Sequence, residues 1–524
     1  MNHIELFAGC GGLSLGLEVA GISLALANEL SPMAGETFAF NFLNEDLEQK
    51  AKTNKPLENV HWLSSQFSDL KSRLRENPFN YPAISNGISD IPSNPFDLEG
   101  KLIIGNIVHL NEFLEANSSY LKAIKTNFGK GEIDLISGGP PCQSFSLAGL
   151  RKKDCDKNTL PWEFAKFVAS VKPKFVMLEN VSGILRPFKE DGVEYHAWFE
   201  IAKAFAERDY VPLCLHVNAR NVVVPQNRPR FILIGVRLDV YETIKNNFNQ
   251  SELELFRPSE RLFKAIKDTG NAIFTDYKYF DSQGISDKKL YETSFLSELV
   301  NKPEVSTKEA IDDLKFIHPA KSSTHIKSVN KTFSMPVKKG QKLTNHEARN
   351  NKSQVQRRFR IYQILNQCSK STGTEVVRVI QGKHPTISTQ AWAEIKGFHF
   401  LKESGVTDNF LSVEEFIEFL KAHTTKKQTQ KALIANSPAP AALSIPDDAC
   451  HYDQDELRTL TVREMARIQS FPDGFVFRSK VTTGGQMRKF EVPQYTQVGN
   501  AVPPLLGYAL GNTLKKLKAK HKSE

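Results

Sequence analysis

The chain has 524 residues, 40% of them hydrophobic and 24% charged, which is material for a sizeable core and for more than one domain. No stretch approaches the ~18–20 consecutive apolar residues of a membrane span, and the start, MNHIELFAG, has neither the charged nor the apolar region of a signal peptide, so a cytoplasmic location is expected. The net charge is +9, and the six scattered cysteines (10, 142, 155, 214, 368 and 450) contain no CxxC pair, so their spacing writes neither a zinc site nor a disulfide framework.

In chain order, HIELFAG, a glycine cluster, LSLGLEVAG and ISLALANE predict a strand, a turn, a helix and a second strand that ends on Glu29. Residues 64–98, with Ser, Asn and four prolines, read as a long surface insertion between sheet elements. Further short apolar runs follow at 101–107, 133–138, 174–181, 212–219 and 230–236, several separated by helical stretches such as YHAWFEIAKAFAERD. This alternation predicts an α/β fold with a mostly parallel sheet and helices on both faces. Residues 238–305 are polar and weakly periodic, and no element is placed there.

From Lys321 to Lys383, fourteen Lys or Arg stand against two acids, Glu347 and Glu375, which leaves the remainder of the chain at about −3. That concentration reads either as a surface that tracks phosphates or as a solvated basic segment. VEEFIEFLKAH is helical, and the Lys, Gln, Ser, Ala and Pro bias of the segment after it suggests a mobile linker over 424–454. TLTVREMARIQSF and PPLLGYALGNTLKKLK are predicted as helices near the end.

Three features carry chemistry. Phe7-Ala8-Gly9-Cys10-Gly11-Gly12 sits where the first strand turns into the first helix, and Glu29 is placed to accept from ribose hydroxyls. The run lacks full G-x-G-x-x-G spacing, which favours a nucleoside without a diphosphate over NAD; alone, such a turn is equally served by steric need. Cys142, in GGPPCQSFSLAG, follows a strand in a loop of turn formers and is presented rather than packed, although an isolated cysteine is more often inert than catalytic. Glu179 ends another apolar strand, so it projects over the same sheet edge, and Arg228 and Arg230 stand two apart at the start of a further strand, so both point to one side.

FAGCGGLSLG, GGPPCQSFS, LENV, PQNRPR, LTVREMARIQSFPDGF and QVGNAVPPLLG occur in this order, and together they resemble the signature blocks of the DNA cytosine-5 methyltransferases of the bacterial or phage type. The resemblance covers the first 45 residues, about 100–237 and 456–512, with AIDDL (310–314) as a fainter echo. It implies a Rossmann-like domain that binds S-adenosyl-L-methionine, joined to a smaller variable target-recognition domain. The implied boundaries are 1–305 for the catalytic domain, 315–490 for the recognition domain with the basic segment 321–383, and 491–524 for a C-terminal return to the first domain.

The resemblance further implies that Cys142 adds to carbon 6 of a flipped cytosine and that Glu179 engages ring nitrogen 3. Arg228 then supports the base and polarises the glutamate side, with Arg230 assisting. Phe7, Gly9, Gly11, Glu29, Ile107, Pro140, Leu160, Asn500 and Val502 are implied for the cofactor pocket. Asn106 stands where the family normally has an aspartate; it keeps a carbonyl acceptor for the adenine amino group and loses the charge. The implied partner is double-stranded DNA, bound by a monomer without metal and paired with a restriction endonuclease of the same specificity. Residues 381–392, QGKHPTISTQAW, read either as a base-reading loop or as ordinary turns. Two alternatives stand beside this reading, a tRNA cytosine-5 methyltransferase on the same scaffold and a non-catalytic DNA-binding regulator.

Overall fold

Nine strands form one sheet in the order β12-β9-β11-β6-β5-β1-β2-β4-β3 in a computed structural model that describes residues 1–141, 159–190, 193–425, 430–441 and 449–521. The strands are β1 (Asn2–Leu6), β2 (Ser23–Glu29), β3 (Val60–Trp62), β4 (Lys101–Ile104), β5 (Leu135–Gly138), β6 (Phe175–Val181), β9 (Tyr210–Asn218), β11 (Pro229–Arg237) and β12 (Phe280–Asp281). A hairpin, β7 (Phe188–Glu190) with β8 (Val193–Tyr195), and the two-residue β10 (Gln226–Asn227) lie outside it. From β3 to β6 every pairing is parallel, whereas β11 runs antiparallel to both β6 and β9. The apolar runs of the sequence thus become strands buried on both faces, as a parallel sheet covered by helices requires.

Strand order decides where a ligand can enter. The chain builds outward from β1 through β2 and β4, then crosses to β5 on the other side of β1, so the connections after β1 and β5 leave in opposite directions. Their carboxyl ends frame the crevice in which doubly wound sheets bind ligands. Helix α1 (Gly12–Val19) leaves that edge after β1, and α2 (Pro32–Phe42) follows β2. Helix Pro504–Lys518 lies against α1 so closely that a Cβ at Gly16 would stand 2.3 Å from the Tyr508 backbone nitrogen. Only glycine permits that crossing.

Residues 64–98 form a closed loop. The backbone N–H of Asp90 donates to Trp62 O at 2.9 Å, Ser65 and Ile88 bridge in antiparallel fashion, and Arg73 pairs with Asp90. Residues 238–304, where the sequence offers no pattern, contain helices Leu238–Lys245, Gln250–Thr269 and Ile285–Glu292. In the longest, Leu255, Ser259, Leu262 and Ile266 are buried at helical spacing, and Asn249 and Glu252 form a capping box. The stripe is hard to read because Pro258 interrupts it and its other faces are polar.

The chain divides into two compact units: Met1–Glu304 with Gln469–Phe471 and Phe475–Glu524, and Val305–Ile468 with Pro472–Gly474. The core of the second comes from helices Ser353–Leu365, Lys370–Ile380, Thr389–Ile395 and Val413–Ala422 around Phe359, Ile364, Val379 and Phe416. Within 424–454, Lys431–Ala432 and Ala449–Cys450 pair as short parallel strands, and Ala432, Leu433 and Cys450 are buried. Composition there suggested a mobile linker; the alternating small apolar residues instead let the described part pack. Among the described residues, no helix is long and apolar enough to cross a membrane.

Candidate active site

The glycine turn after β1 is built around a carboxylate. Glu29 ends β2, and its Oε2 accepts the Gly9 N–H at 2.7 Å while Oε1 accepts the Ser31 N–H at 2.8 Å. Burial pushes the Glu29 carboxyl up from the ordinary range, and these N–H groups oppose that rise. Phe7 and Gly9 have positive φ, both 56°. A Cβ at Gly9 would meet nothing within 4 Å, so there is open space over the turn, whereas one at Gly11 would stand 2.3 Å from the Phe42 ring. The two glycines therefore serve different ends: Gly11 packing, Gly9 access.

The remaining pocket candidates lie on elements that converge on this edge of the first unit. Asn106 caps helix Ile107–Ala116, its Oδ1 accepting the Val108 N–H at 3.0 Å, and Ile107 is buried. Pro140 follows β5 and is buried, with Asn180 Nδ2 donating to its carbonyl at 3.0 Å. Leu160 is half-buried at the start of helix Leu160–Val171. Asn500, exposed, ends helix Gln494–Asn500, and Val502 is buried two residues later.

Cys142 lies outside the described residues. Its predicted partners are described, and the two arginines among them make different contacts. Arg230 Nε stands 2.6 Å from Glu179 Oε1, a close ion pair rather than an in-line hydrogen bond. Arg228 turns away: its Nη2 donates to Gly499 O at 2.8 Å and Ala501 O at 3.0 Å. The arginine that stands beside the glutamate is therefore Arg230, because strand register places it there. Both are buried, which pushes both guanidinium groups below their ordinary range; the neighbouring Arg230 charge adds to the effect at Arg228, and Glu179 opposes it at both. Arg228 Nε has no partner among the described residues, and Glu179 Oε2 accepts no hydrogen bond there, so a donor and an acceptor remain for a ligand.

Sequence reasoning passed over Gln497. It is buried; its Oε1 accepts the Thr37 hydroxyl at 2.6 Å, and its Nε2 donates to Met33 O and Val492 O, each at 3.0 Å. It ties the segment carrying Asn500 to α2. Its place in the QVGNAVPPLLG block was the available signal.

S-adenosylmethionine fits these residues. The site offers a carboxylate for ribose hydroxyls, free volume over Gly9 and apolar flanks from Phe7, Ile107 and Val502, without the longer glycine loop a diphosphate needs.

Residues 1–64 and 113–516 match the family model described as C-5 cytosine-specific DNA methylase. The type II methyltransferase M.DdeI of Desulfomicrobium norvegicum is 25% identical over 515 residues, 98% of this chain and 88% of that protein. M.Bpa9945I of Bacillus paralicheniformis, also a type II methyltransferase, is 26% identical over 557 residues, covering 98% of each. M1.HphI of Haemophilus parahaemolyticus is 23% identical over 520 residues, 99% of this chain and 87% of that protein.

Proposed function

The chain belongs to the family of C-5 cytosine-specific DNA methylases, and on that premise we propose that Cys142, Glu179, Arg228 and Arg230 carry its chemistry. The protein is a DNA (cytosine-5-)-methyltransferase: it methylates carbon 5 of cytosine in DNA, with S-adenosylmethionine as the donor. When bound, that cofactor supplies a methyl group activated by a sulfonium centre. Phe7, Gly9, Glu29, Asn106, Ile107, Pro140, Leu160, Asn500 and Val502 are the residues assigned to hold it, with Gly11 packing the turn against Phe42.

Cytosine carbon 5 is too poor a nucleophile to react unaided. Addition of the Cys142 thiolate to carbon 6 forms a carbon–sulfur bond and moves a ring electron pair toward carbon 5, which then behaves as an enamine carbon. Glu179 meets the ring at nitrogen 3 and takes up the proton traffic there, while Arg230 holds the carboxyl group in place. Arg228 keeps the backbone at Gly499 and Ala501 in position and offers Nε to the base. After methylation, loss of the carbon 5 proton returns an electron pair to the ring, breaks the carbon–sulfur bond and frees Cys142. Neither ring face is open inside a duplex, so the cytosine is flipped out at a cost of a few kcal/mol.

The second unit is assigned to reading the target sequence. Its exposed Lys338, Lys339, Lys342 and Lys352 have no carboxylate within 4 Å among the described residues, as expected of side chains kept for phosphates. The protein is further assigned as a monomer of the bacterial cytoplasm, working beside a restriction endonuclease of matching specificity, in keeping with the type II names of its relatives.

The observation that carries the site assignment is the buried Glu179–Arg230 pair, with Oε2 left open beside the Gly139–Pro140 turn that leads to Cys142. Duplex DNA carrying 5-fluorocytosine tests it. The enzyme should form a stable covalent complex mapping to Cys142, and Cys142→Ser should form none. An adduct at another residue, or transfer to tRNA but not to duplex DNA, would overturn the assignment.

A further inference from the structure

The match to the family model breaks between residues 64 and 113, and all of the insertion 64–98 except Ser64 lies inside that break. It is nevertheless a built element. Glu76 accepts from the Ser65 hydroxyl at 2.5 Å and from the Gln66 N–H at 2.9 Å, and Arg73 Nε donates to Phe67 O at 2.6 Å. Two of its residues reach the turn that carries Glu29. Tyr81, buried, donates its hydroxyl to Leu30 O at 3.3 Å. Arg75 pairs with Glu36, a buried residue of α2. Tyr81, Trp62 and Leu74 share one apolar cluster with Ala8 of the glycine turn and with Phe38 of α2.

We propose that the insertion is a brace for the ribose-binding turn, in which Tyr81 and Arg75 are positioning residues for cofactor binding. The contacts form a continuous series. Arg75 holds Glu36 and with it α2; Tyr81 holds the Leu30 carbonyl; Ser31, the N-cap of α2, donates its backbone N–H to Glu29; and Gly9 donates to the other oxygen of the same carboxylate. Glu29 is thus aimed by three segments, of which one lies outside the family model. The inner face of the insertion makes these contacts, while Phe79 and Phe96 on its outer face are more than half exposed. The inference rests on the reading of Glu29 as the ribose acceptor.

Titration of S-adenosylhomocysteine into the full-length enzyme, with steady-state kinetics, tests it. Tyr81→Phe should weaken binding about five-fold, near the worth of one buried hydrogen bond, and raise the cofactor KM in step, with kcat at saturation and the DNA KM unchanged. Arg75→Gln, whose side chain is partly exposed and whose loss is easier to tolerate, should weaken binding about three-fold. Phe79→Ser should bind as the wild type does. If Glu29→Ala weakens binding while Tyr81→Phe and Arg75→Gln leave it intact, the brace is wrong and the ribose site stands. If Glu29→Ala also binds normally, the ribose reading falls and the brace with it. A merely structural role would lower the melting temperature without moving the cofactor KM, and that result also overturns the proposal.

Discussion

Arg230 faces Glu179 at 2.6 Å, while Arg228, two residues earlier and just before the strand begins, reaches the carbonyls of Gly499 and Ala501. Register explains the division. In the antiparallel pair of β6 and β11, Arg230 stands opposite Val181 and Ile232 opposite Glu179, so Arg230 and Glu179 are diagonal neighbours on one face. Arg228 lies one step further along, past the end of the ladder.

The two arginines should therefore fail differently. Arg230→Ala leaves a buried carboxylate without its partner and is expected to cost about 3–5 kcal/mol in the transition state, a loss of roughly two to four orders of magnitude in kcat with cofactor binding little changed. Arg228→Ala frees the Gly499–Ala501 backbone and should raise the cofactor KM about ten-fold, with Arg228→Lys restoring part of it. Single-turnover and steady-state kinetics on one duplex substrate separate the two.

Glu179→Gln keeps the shape and removes the proton exchange. A fall in kcat of about 10²–10⁴-fold is expected, with DNA affinity retained, as gel-shift titration would show.

Gly9→Ala and Gly11→Ala test the two uses of glycine in the first turn. At Gly11 a methyl group would run into Phe42 at a φ of 90°, so the variant should lose stability by about 2–3 kcal/mol. At Gly9 the methyl has room, so stability should fall by about 1 kcal/mol, while the cofactor KM rises because the free space is filled. Calorimetry beside cofactor titration distinguishes them.

Burial pushes the Glu5 carboxyl up from 4.5 to about 8, against the Ser14 hydroxyl that donates to it. The folded protein keeps a proton that the unfolded chain releases, so this contribution is whole below about pH 4.5 and is lost as pH rises toward 8. His3, whose Nε2 lies 3.3 Å from the same hydroxyl, is held down at about 4 by burial, so its contribution is lost as pH falls from 6.5 toward 4. Glu5→Gln should raise the melting temperature at pH 8.5 by roughly 5 °C and leave it unchanged at about pH 3, where wild-type Glu5 is neutral in both states.

Charge in the second unit should be reversed with its burial in mind. Lys338→Glu, Lys339→Glu and Lys352→Glu remove exposed cations and should weaken DNA binding, each lowering the slope of log affinity against log salt by about 0.9 if it meets a phosphate. Arg358 is different: it is buried, donating to Gln430 Oε1 at 3.1 Å and Thr424 O at 3.3 Å, so Arg358→Glu should unfold the unit rather than report on DNA. Filter binding across a salt series, with circular dichroism as the control, checks both.

The sheet was legible because its strands are continuous apolar runs bounded by Gly, Pro or polar residues, with Glu29 at the end of β2 and Glu179 two residues before the end of β6. What the sequence withheld was pairing. Nothing in QNRPR says which arginine meets Glu179, because that depends on a register set by β6 and β11 together. Gln497 was equally hidden, since a glutamine shows its value only when Thr37, Met33 and Val492 arrive around it. The 238–304 helices were obscured by polar outer faces, and the insertion looked like ornament because prolines and asparagines conceal Tyr81 and Arg75.

The grip of Arg228 on Gly499 and Ala501 joins positions 271 and 273 residues apart, and α1 is clothed by a helix that starts at Pro504. During synthesis, the first helix and the wall of the reaction centre stay uncovered until residues about 270 to 490 positions further along have been made. A chain cut before Gly499 is therefore expected to lack both the cover of α1 and the anchor of Arg228.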